Sequence, residues 1–316
     1  MKAVIAMGDE RFVDELGAEF PDVDFEFGGS EDEQIERIRD ADIYFGWPTR
    51  KVFLAAERLR WLQNPGTGID RIAEVPELVD SDVVLTNFLG PHANPMADHV
   101  FGMMIMLAHR MGDLWDDQKA HRWEPTKYHE NHVELSGKTM GILALGGIGL
   151  AVARRARGFG MEVYAVDKHP RPTTAEVNAV WGLDRLDRLL SISDWFVVTA
   201  PLTAETRGLV DRGRFEHLKV GAYVIVISRG NIVDENALMD GLRSGRIAGA
   251  GLDVMAQEPL PADSPLWDMD TVVLSPHASA LTPETGEGRR ELFKENLRRF
   301  LANEPFLYVC DKRAGF

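Results

Sequence analysis

The sequence predicts an α/β protein built from two doubly wound, mostly parallel sheets. Three observations carry that expectation. Short apolar runs alternate with charged segments of helical length in both halves of the chain, as crossover units require. A glycine-rich turn, Ala144-Leu145-Gly146-Gly147-Ile148-Gly149, separates one such run from one such segment. The length of 316 residues also exceeds that of a typical single domain.

From Met1 to about Asn87 the runs AVIAM, VDFEF, DIYFG, WLQNPG and VVLTN read as strands. Helices are expected over 9–20, 31–39 and 50–58. Asn94 to about Trp115 reads as one long helix with Asn94 as its cap and Pro95 in its first turn. Its Met-rich face must be buried, either within its own subunit or against a second one. A polar, aromatic stretch around HRWEPTKYHENH follows as a connecting loop. Its three histidines, His121, His129 and His132, lack helical i, i+4 pairing, so no metal site is expected. From Met140 the order is strand MGILAL, glycine turn, helix, strand EVYAVD, helix 184–192, strand WFVVTA, helix 211–219, strand YVIVIS, helix 234–244, then strands GAGLDV and TVVLSP. A last helix, from about Pro283 to Ala302, returns the chain toward the first domain. The expected division is 1–94 plus 286–316 for one domain and 95–285 for the other.

Composition narrows the function. Hydrophobic residues make up 45% of the chain, enough for a sizeable core. A formal charge of −15 argues against a nucleic-acid backbone or an anionic membrane as the main partner. The 26 Arg against 9 Lys fit either salt adaptation or genomic composition. The single Cys310 excludes an internal disulfide. The opening MKAVIAMGDE reads as a first strand and not a signal peptide, and the longest apolar run is too short to span a bilayer. A cytoplasmic protein is expected.

The glycine turn has a physical reading. Gly146 lets the backbone approach a pyrophosphate, with Gly147 and Ile148 at the helix N-terminus facing it, and Gly149 lets the helix pack closely on the strand. Asp167 closes the next strand, 23 residues after Ala144, and would accept from ribose hydroxyls. Its charge opposes a 2′-phosphate, favouring NAD; the nearby Lys168, His169 and Arg171 partly offset it and leave NADP open. Ala144 stands where the pattern has its first glycine, and fits if φ stays negative there.

Three further polar residues follow strand-like runs: Arg229, Glu258 and His277. Ligands bind outside the carboxyl ends of parallel strands. A planar guanidinium holds a carboxylate and a carbonyl oxygen together, and histidine suits acid–base work near neutral pH. A carboxylate beside the imidazole fixes its tautomer.

Read together, ALGGIGLAVARRARGFGMEVYAVD, APLTAETRGLV, SRGNIVDENALMDGLRSGRIAGAGLDV, EPLPADSPLW and SPHAS resemble the D-isomer-specific 2-hydroxyacid dehydrogenases. NPGTGID, TNFLG and the closing ENLRRFLANEPFLYVCDK extend the likeness more loosely over the rest of the chain. The resemblance implies a Rossmann NAD-binding domain and a smaller flavodoxin-like substrate domain. It implies that Arg229 binds the substrate's carboxylate and carbonyl, that His277 is the acid–base, and that Glu258 hydrogen-bonds to it. Asp253 would contact the nicotinamide amide. Pro201, Thr206 and Ser228 would join the cofactor contacts, and Gly66, Thr67 and Gly68 would offer backbone donors to the substrate carboxylate. Val226 and Asp98 depart from residues common in the family. The chain ends at Phe316, as in members without a regulatory domain.

The implied reaction passes a hydride between NAD(H) and a small 2-keto or 2-hydroxy acid. In GWPTRK, Trp47 stands where phosphoglycerate-type members carry Arg, which argues for an uncharged substituent or for simple packing. A homodimer through the 95–115 helix is expected. The competing readings are an NAD(H)-sensing binding protein of the same fold, a formate dehydrogenase (opposed by Glu258, where that group has Gln), and a structural module that binds no NAD. The other histidines, His92, His99, His109 and His217, are expected at caps, interfaces or the surface.

Overall fold

A computed structural model describes residues 1–315. They form two compact units, Met1–His92 with the segment from Thr282 onward, and Ala93–Leu281.

The first unit runs β1 (Lys2–Ile5), α1 (Glu10–Glu19), β2 (Asp24–Phe27), α2 (Glu31–Ile38), β3 (Ile43–Phe45), α3 (Arg50–Ala55), β4 (Trp61–Gln63), α4 (Pro76–Asp80) and β5 (Val84–Thr86). The sheet order is β2-β1-β3-β4-β5, every pair parallel. Helix starts follow their caps: Asp9 accepts from Phe12 N–H, Ser30 and Glu33 form a reciprocal box, and Thr49 accepts from Val52 N–H. One face of the sheet packs an aliphatic cluster around Val4, Leu62 and Leu78. The other packs an aromatic cluster of Phe12, Phe45, Trp61, Phe88 and Phe293.

The second unit runs α5 (Ala93–Ala108), α6 (Met111–Lys119), β6 (Thr139–Leu143), α7 (Gly147–Gly158), β7 (Glu162–Val166), β8 (Ala179–Trp181), α8 (Leu186–Ile192), β9 (Trp195–Val198), α9 (Arg212–Phe215), β10 (Ala222–Val226), α10 (Glu235–Arg243), β11 (Ile247–Leu252) and β12 (Val272–Leu274). Its seven strands lie in the order β12-β11-β10-β9-β6-β7-β8, all parallel. The order reverses between β6 and β9, which places the ligand crevice of such a sheet at their carboxyl ends. Central strands such as β9 and β10 are buried on both faces, which is why they read as unbroken apolar runs.

The last helix, α11 (Pro283–Ala302), belongs whole to the first unit. The expected boundary at 285/286 cuts through it. Phe293 stacks on Phe45 and Trp61 at centroid distances of 4.6 and 5.3 Å. Buried Asn296 donates to Gln63 Oε1 and accepts from Leu307 N–H, so polar groups fix the helix as well.

Two local expectations fail. The helix expected over 94–115 breaks at Arg110, which takes left-handed backbone (φ 47) between α5 and α6; Asn94 lies inside the first turn and not at the cap. The apolar side of α5 (Met96, Ala97, Val100, Phe101, Met103, Met104) is buried in its own unit. The edge strand β8 had no sequence signal, being three half-buried residues long.

Candidate active site

The strands of the second unit being parallel, the residues that follow them gather along one edge of the sheet. Ala144 follows β6, Asp167 follows β7, Pro201 lies beyond β9, Arg229 beyond β10, Asp253 and Glu258 beyond β11, and His277 beyond β12.

Glu258 and His277 are in direct contact. His277 Nδ1–H donates to Glu258 Oε2 at 2.8 Å, and Glu258 Oε1 accepts from Met255 N–H at 3.0 Å. The carboxylate is thereby held on two sides, and the imidazole keeps Nε2 for exchange with a ligand. His277 is 44% exposed in its side chain, open enough to receive one. Its backbone is left-handed (φ 52).

Arg229 sits on the loop between β10 and a short 3-10 turn at Gly230–Ile232, with NH1 donating to Ser228 O at 2.7 Å. The loop rests on the main chain leading to Glu258. A Cβ at Gly230 would lie 2.1 Å from Met255 C and 2.5 Å from Ala256 N, and Asn231 Nδ2 donates to Ala256 O at 3.2 Å. The guanidinium and the carboxylate–imidazole pair thus share a foundation.

The glycine turn fits a dinucleotide. No side chain caps α7 at Gly146, which leaves the first N–H groups of a helix facing outward, where an anion is favoured. A Cβ on Gly146 or Gly147 would meet no atom within 4 Å, whereas one on Gly149 would stand 2.4 Å from Ala144 O. The outer side of the turn is therefore bare and its inner side tight. Ser228 Oγ is buried without a partner, as a group awaiting a ligand would be. Pro201 O accepts from Thr206 Oγ–H at 2.6 Å, which shapes the loop beyond β9.

Asp167 works on the chain itself. Its Oδ2 accepts from Leu145 N–H and its Oδ1 from His169 N–H, both at 2.8 Å. By holding Leu145 it stabilises a turn in which Ala144 takes φ 73. The expectation that alanine keeps φ negative here is wrong: the first position of the turn is left-handed, and alanine bears the strain. Ala144→Gly should raise stability by about 1 kcal/mol, since glycine escapes the left-handed Cβ clash. A chemical-denaturation midpoint lower than wild type would contradict this.

Asp253 is fully buried, and three donors of the SPHAS turn occupy its carboxylate: Ser275 Oγ–H, Ala278 N–H and Ser279 N–H. It holds that turn; nothing of it faces solvent. His99, expected at a cap, an interface or the surface, is bonded to Ser275. Asp98, beside it, pairs with Arg155 of α7 at 2.7 Å. No pattern in the sequence signalled the contact between His99 and Ser275.

In the first unit, Asn64 folds the NPGTG turn on itself, donating to Gly66 O and Gly68 O and accepting from Gly66 N–H. Of the three backbone donors expected there, Gly66 is already committed, leaving Thr67 and Gly68. Trp47 is half-buried against the aliphatic cluster with Arg71 over its ring, and the adjacent Arg50 is bidentate on Glu77. His92 Nδ1 lies 2.9 Å from Phe88 O and 3.0 Å from Thr67 Oγ, and its Nε2 accepts from Arg289 at 2.8 Å. Burial, and then the Arg289 guanidinium, push its pKa down from 6.5 to about 4. The unfolded chain therefore binds the proton first as pH falls. His92's contribution is full above 6.5 and is lost on the way to 4, by roughly 3 kcal/mol. The stability difference between wild type and His92→Gln should shrink across that window, read from denaturation curves at several pH values; a constant difference would contradict the linkage.

Residues 101–279 match the family model of the D-isomer specific 2-hydroxyacid dehydrogenase NAD binding domain. The chain belongs to the D-isomer-specific 2-hydroxyacid dehydrogenase family. It is 35% identical to a glyoxylate reductase of Korarchaeum cryptofilum over 277 residues, 85% of this chain and 82% of that one. A D-3-phosphoglycerate dehydrogenase of Methanocaldococcus jannaschii is 30% identical over 93% of this chain, which spans only 55% of that longer protein. A family member from Aeromonas salmonicida, 30% identical, superposes with a TM-score of 0.86 over 98% of this chain and 99% of that one. A relative from Xanthobacter autotrophicus, solved with NADPH, is 31% identical with a TM-score of 0.84 over 100% of this chain and 99% of that one. This 2-hydroxyacid dehydrogenase is thus an NAD(P)-dependent oxidoreductase with a Rossmann NAD-binding domain. No helix among the described residues is long and apolar enough to cross a membrane.

Proposed function

We propose that this dehydrogenase reduces a small, uncharged-tail 2-keto acid to the D-2-hydroxy acid with NADH. The Glu258–His277 pair, held at the carboxyl ends of β11 and β12, carries the reading. A bound nicotinamide supplies hydride chemistry at C2. Arg229 grips the carboxylate and carbonyl oxygens through its planar fork and opposes the charge that grows on the carbonyl oxygen. His277 Nε2–H gives its proton to that oxygen, while Glu258 holds Nδ1–H and steadies the imidazole as its charge changes. In the alcohol-to-ketone direction the same nitrogen takes the proton back. Thr67 and Gly68 are proposed as further donors to the carboxylate, and Trp47 as an apolar wall.

The preference for NADH rests on Asp167, with Gly146, Gly147 and Ile148 proposed at the pyrophosphate. Lys168, the nearest cation in sequence, is 2.7 Å from Glu205 and so is engaged elsewhere, while Asp167 itself repels a 2′-phosphate. The experiment is a panel of glyoxylate, hydroxypyruvate, phenylpyruvate and phosphohydroxypyruvate, run with NADH and NADPH in parallel. Turnover of an unphosphorylated acid with NADH supports the reading. A clear preference for the phosphorylated acid, or for NADPH, would contradict it.

A homodimer is part of the proposal, but the surface moves. With the apolar side of α5 buried in its own unit, the large apolar residues left exposed between 93 and 123 are Met106, Met111, Trp115 and, at 94% exposed, Trp123. A second copy covering 106–123 would bury them. Light scattering that gives a monomer mass would contradict this.

A further inference from the structure

We propose that His99 is a positioning residue for the proton-transfer step, acting through Ser275 and Asp253 on the turn that carries His277. The inference rests on the assignment of His277 as the acid–base.

The turn needs holding, because His277 occupies left-handed backbone that residues other than glycine adopt at a cost. Asp253 supplies the hold. Its Oδ1 accepts from Ser275 Oγ–H at 2.5 Å and from Ala278 N–H at 2.8 Å. Its Oδ2 accepts from Ser279 N–H at 3.1 Å, and its own C=O accepts from His277 N–H at 2.8 Å. Residues on both sides of His277 are therefore tied to one buried side chain.

Proton counting then fixes the role of His99. The Ser275 hydroxyl has one proton, and a carboxylate can only accept. Ser275 therefore donates to Asp253. His99 Nε2, 2.8 Å from Ser275 Oγ, must be the donor in that contact. It cannot be an acceptor there without taking the proton from Asp253. His99 thus locks the hydroxyl onto the carboxylate and stands 3.8 Å from Asp253 Oδ1 itself. Its own place is set by α5, whose neighbouring residues Met96, Val100 and Met103 are buried. The chain of contacts runs from a fixed helix, through a serine proton, to the carboxylate that holds the turn carrying His277.

The test uses His99→Leu, which removes the donor, His99→Gln, whose amide can still donate to Ser275, and Ser275→Ala. His99→Leu should lower kcat about tenfold with KM within about twofold, since small errors in the geometry of a proton donor act on the chemical step. His99→Gln should recover most of the loss. Ser275→Ala should behave like His99→Leu, and the double variant should lose little more, because both act through one contact. The titration of the His277 imidazole, followed by NMR in the protein without substrate, should move in His99→Leu and stay in place in His99→Gln. A His99→Leu enzyme that melts earlier yet keeps wild-type kcat and an unmoved His277 titration would overturn the proposal. If the wild type reduces no keto acid, the assigned reaction fails by itself, and the NMR comparison still decides the role of His99.

Discussion

His277→Ala is expected to lower kcat by about 10²–10⁴-fold, the usual worth of a positioned general acid. Glu258 occupies Nδ1, so Nε2 is the only ring nitrogen left to serve a substrate. Cofactor binding should survive, because the groups proposed at the pyrophosphate and ribose belong to the turn after β6 and the end of β7, and not to the turn after β12 that carries His277. NADH fluorescence titration of the variant should therefore match the wild type while turnover collapses. Glu258→Gln should lose less, since an amide oxygen still accepts from Nδ1–H. A His277→Ala enzyme with near wild-type rate would remove His277 from the chemistry.

Gly230→Ala should cost both stability and activity. The added Cβ would fall 2.1–2.5 Å from three main-chain atoms of Met255 and Ala256, and no rotamer change relieves a contact with backbone. Forcing the two segments apart costs about 3 kcal/mol on the scale of overpacked cores, which corresponds to a melting midpoint lower by roughly 6–12 °C in units of this size. It would also part Arg229 from the segment that anchors Glu258 through Met255 N–H, so activity per folded molecule should fall too. Gly286→Ala is the control. It lies inside α11 with no atom near its would-be Cβ, and alanine there should be neutral or stabilising by up to about 1 kcal/mol. A Gly230→Ala protein that melts and turns over like wild type would show that the two loops are not in register as described.

The doubly wound fold was legible because buried parallel strands such as β9 and β10 carry apolar residues on both faces, and because α11 has its cap at Thr282 and its Pro at the first turn. Elements without such marks escaped. The break at Arg110 has no proline, and β8 is too short to form a run. At the site, the residue types and the strand ends they follow could be read directly. What holds them could not. His99 and Ser275 are 176 residues apart, and His92 and Arg289 are 197 apart; nothing local in either partner announces the other. The same limit explains Ala144. Its left-handed backbone is sustained by an acceptor on Asp167, a contact made only once β6 and β7 are paired. That pairing also gives Asp167 a second task, fastening the glycine turn, beside the ribose contact its position implies.

The most direct test of the proposed reaction follows the hydride. NADH carrying deuterium at its transferable position should be incubated with the preferred 2-keto acid and the product examined by mass spectrometry and chiral separation. One deuterium is expected at C2 of the D-2-hydroxy acid, with the transfer abolished in His277→Ala. A product of L configuration, or one without deuterium at C2, would contradict it.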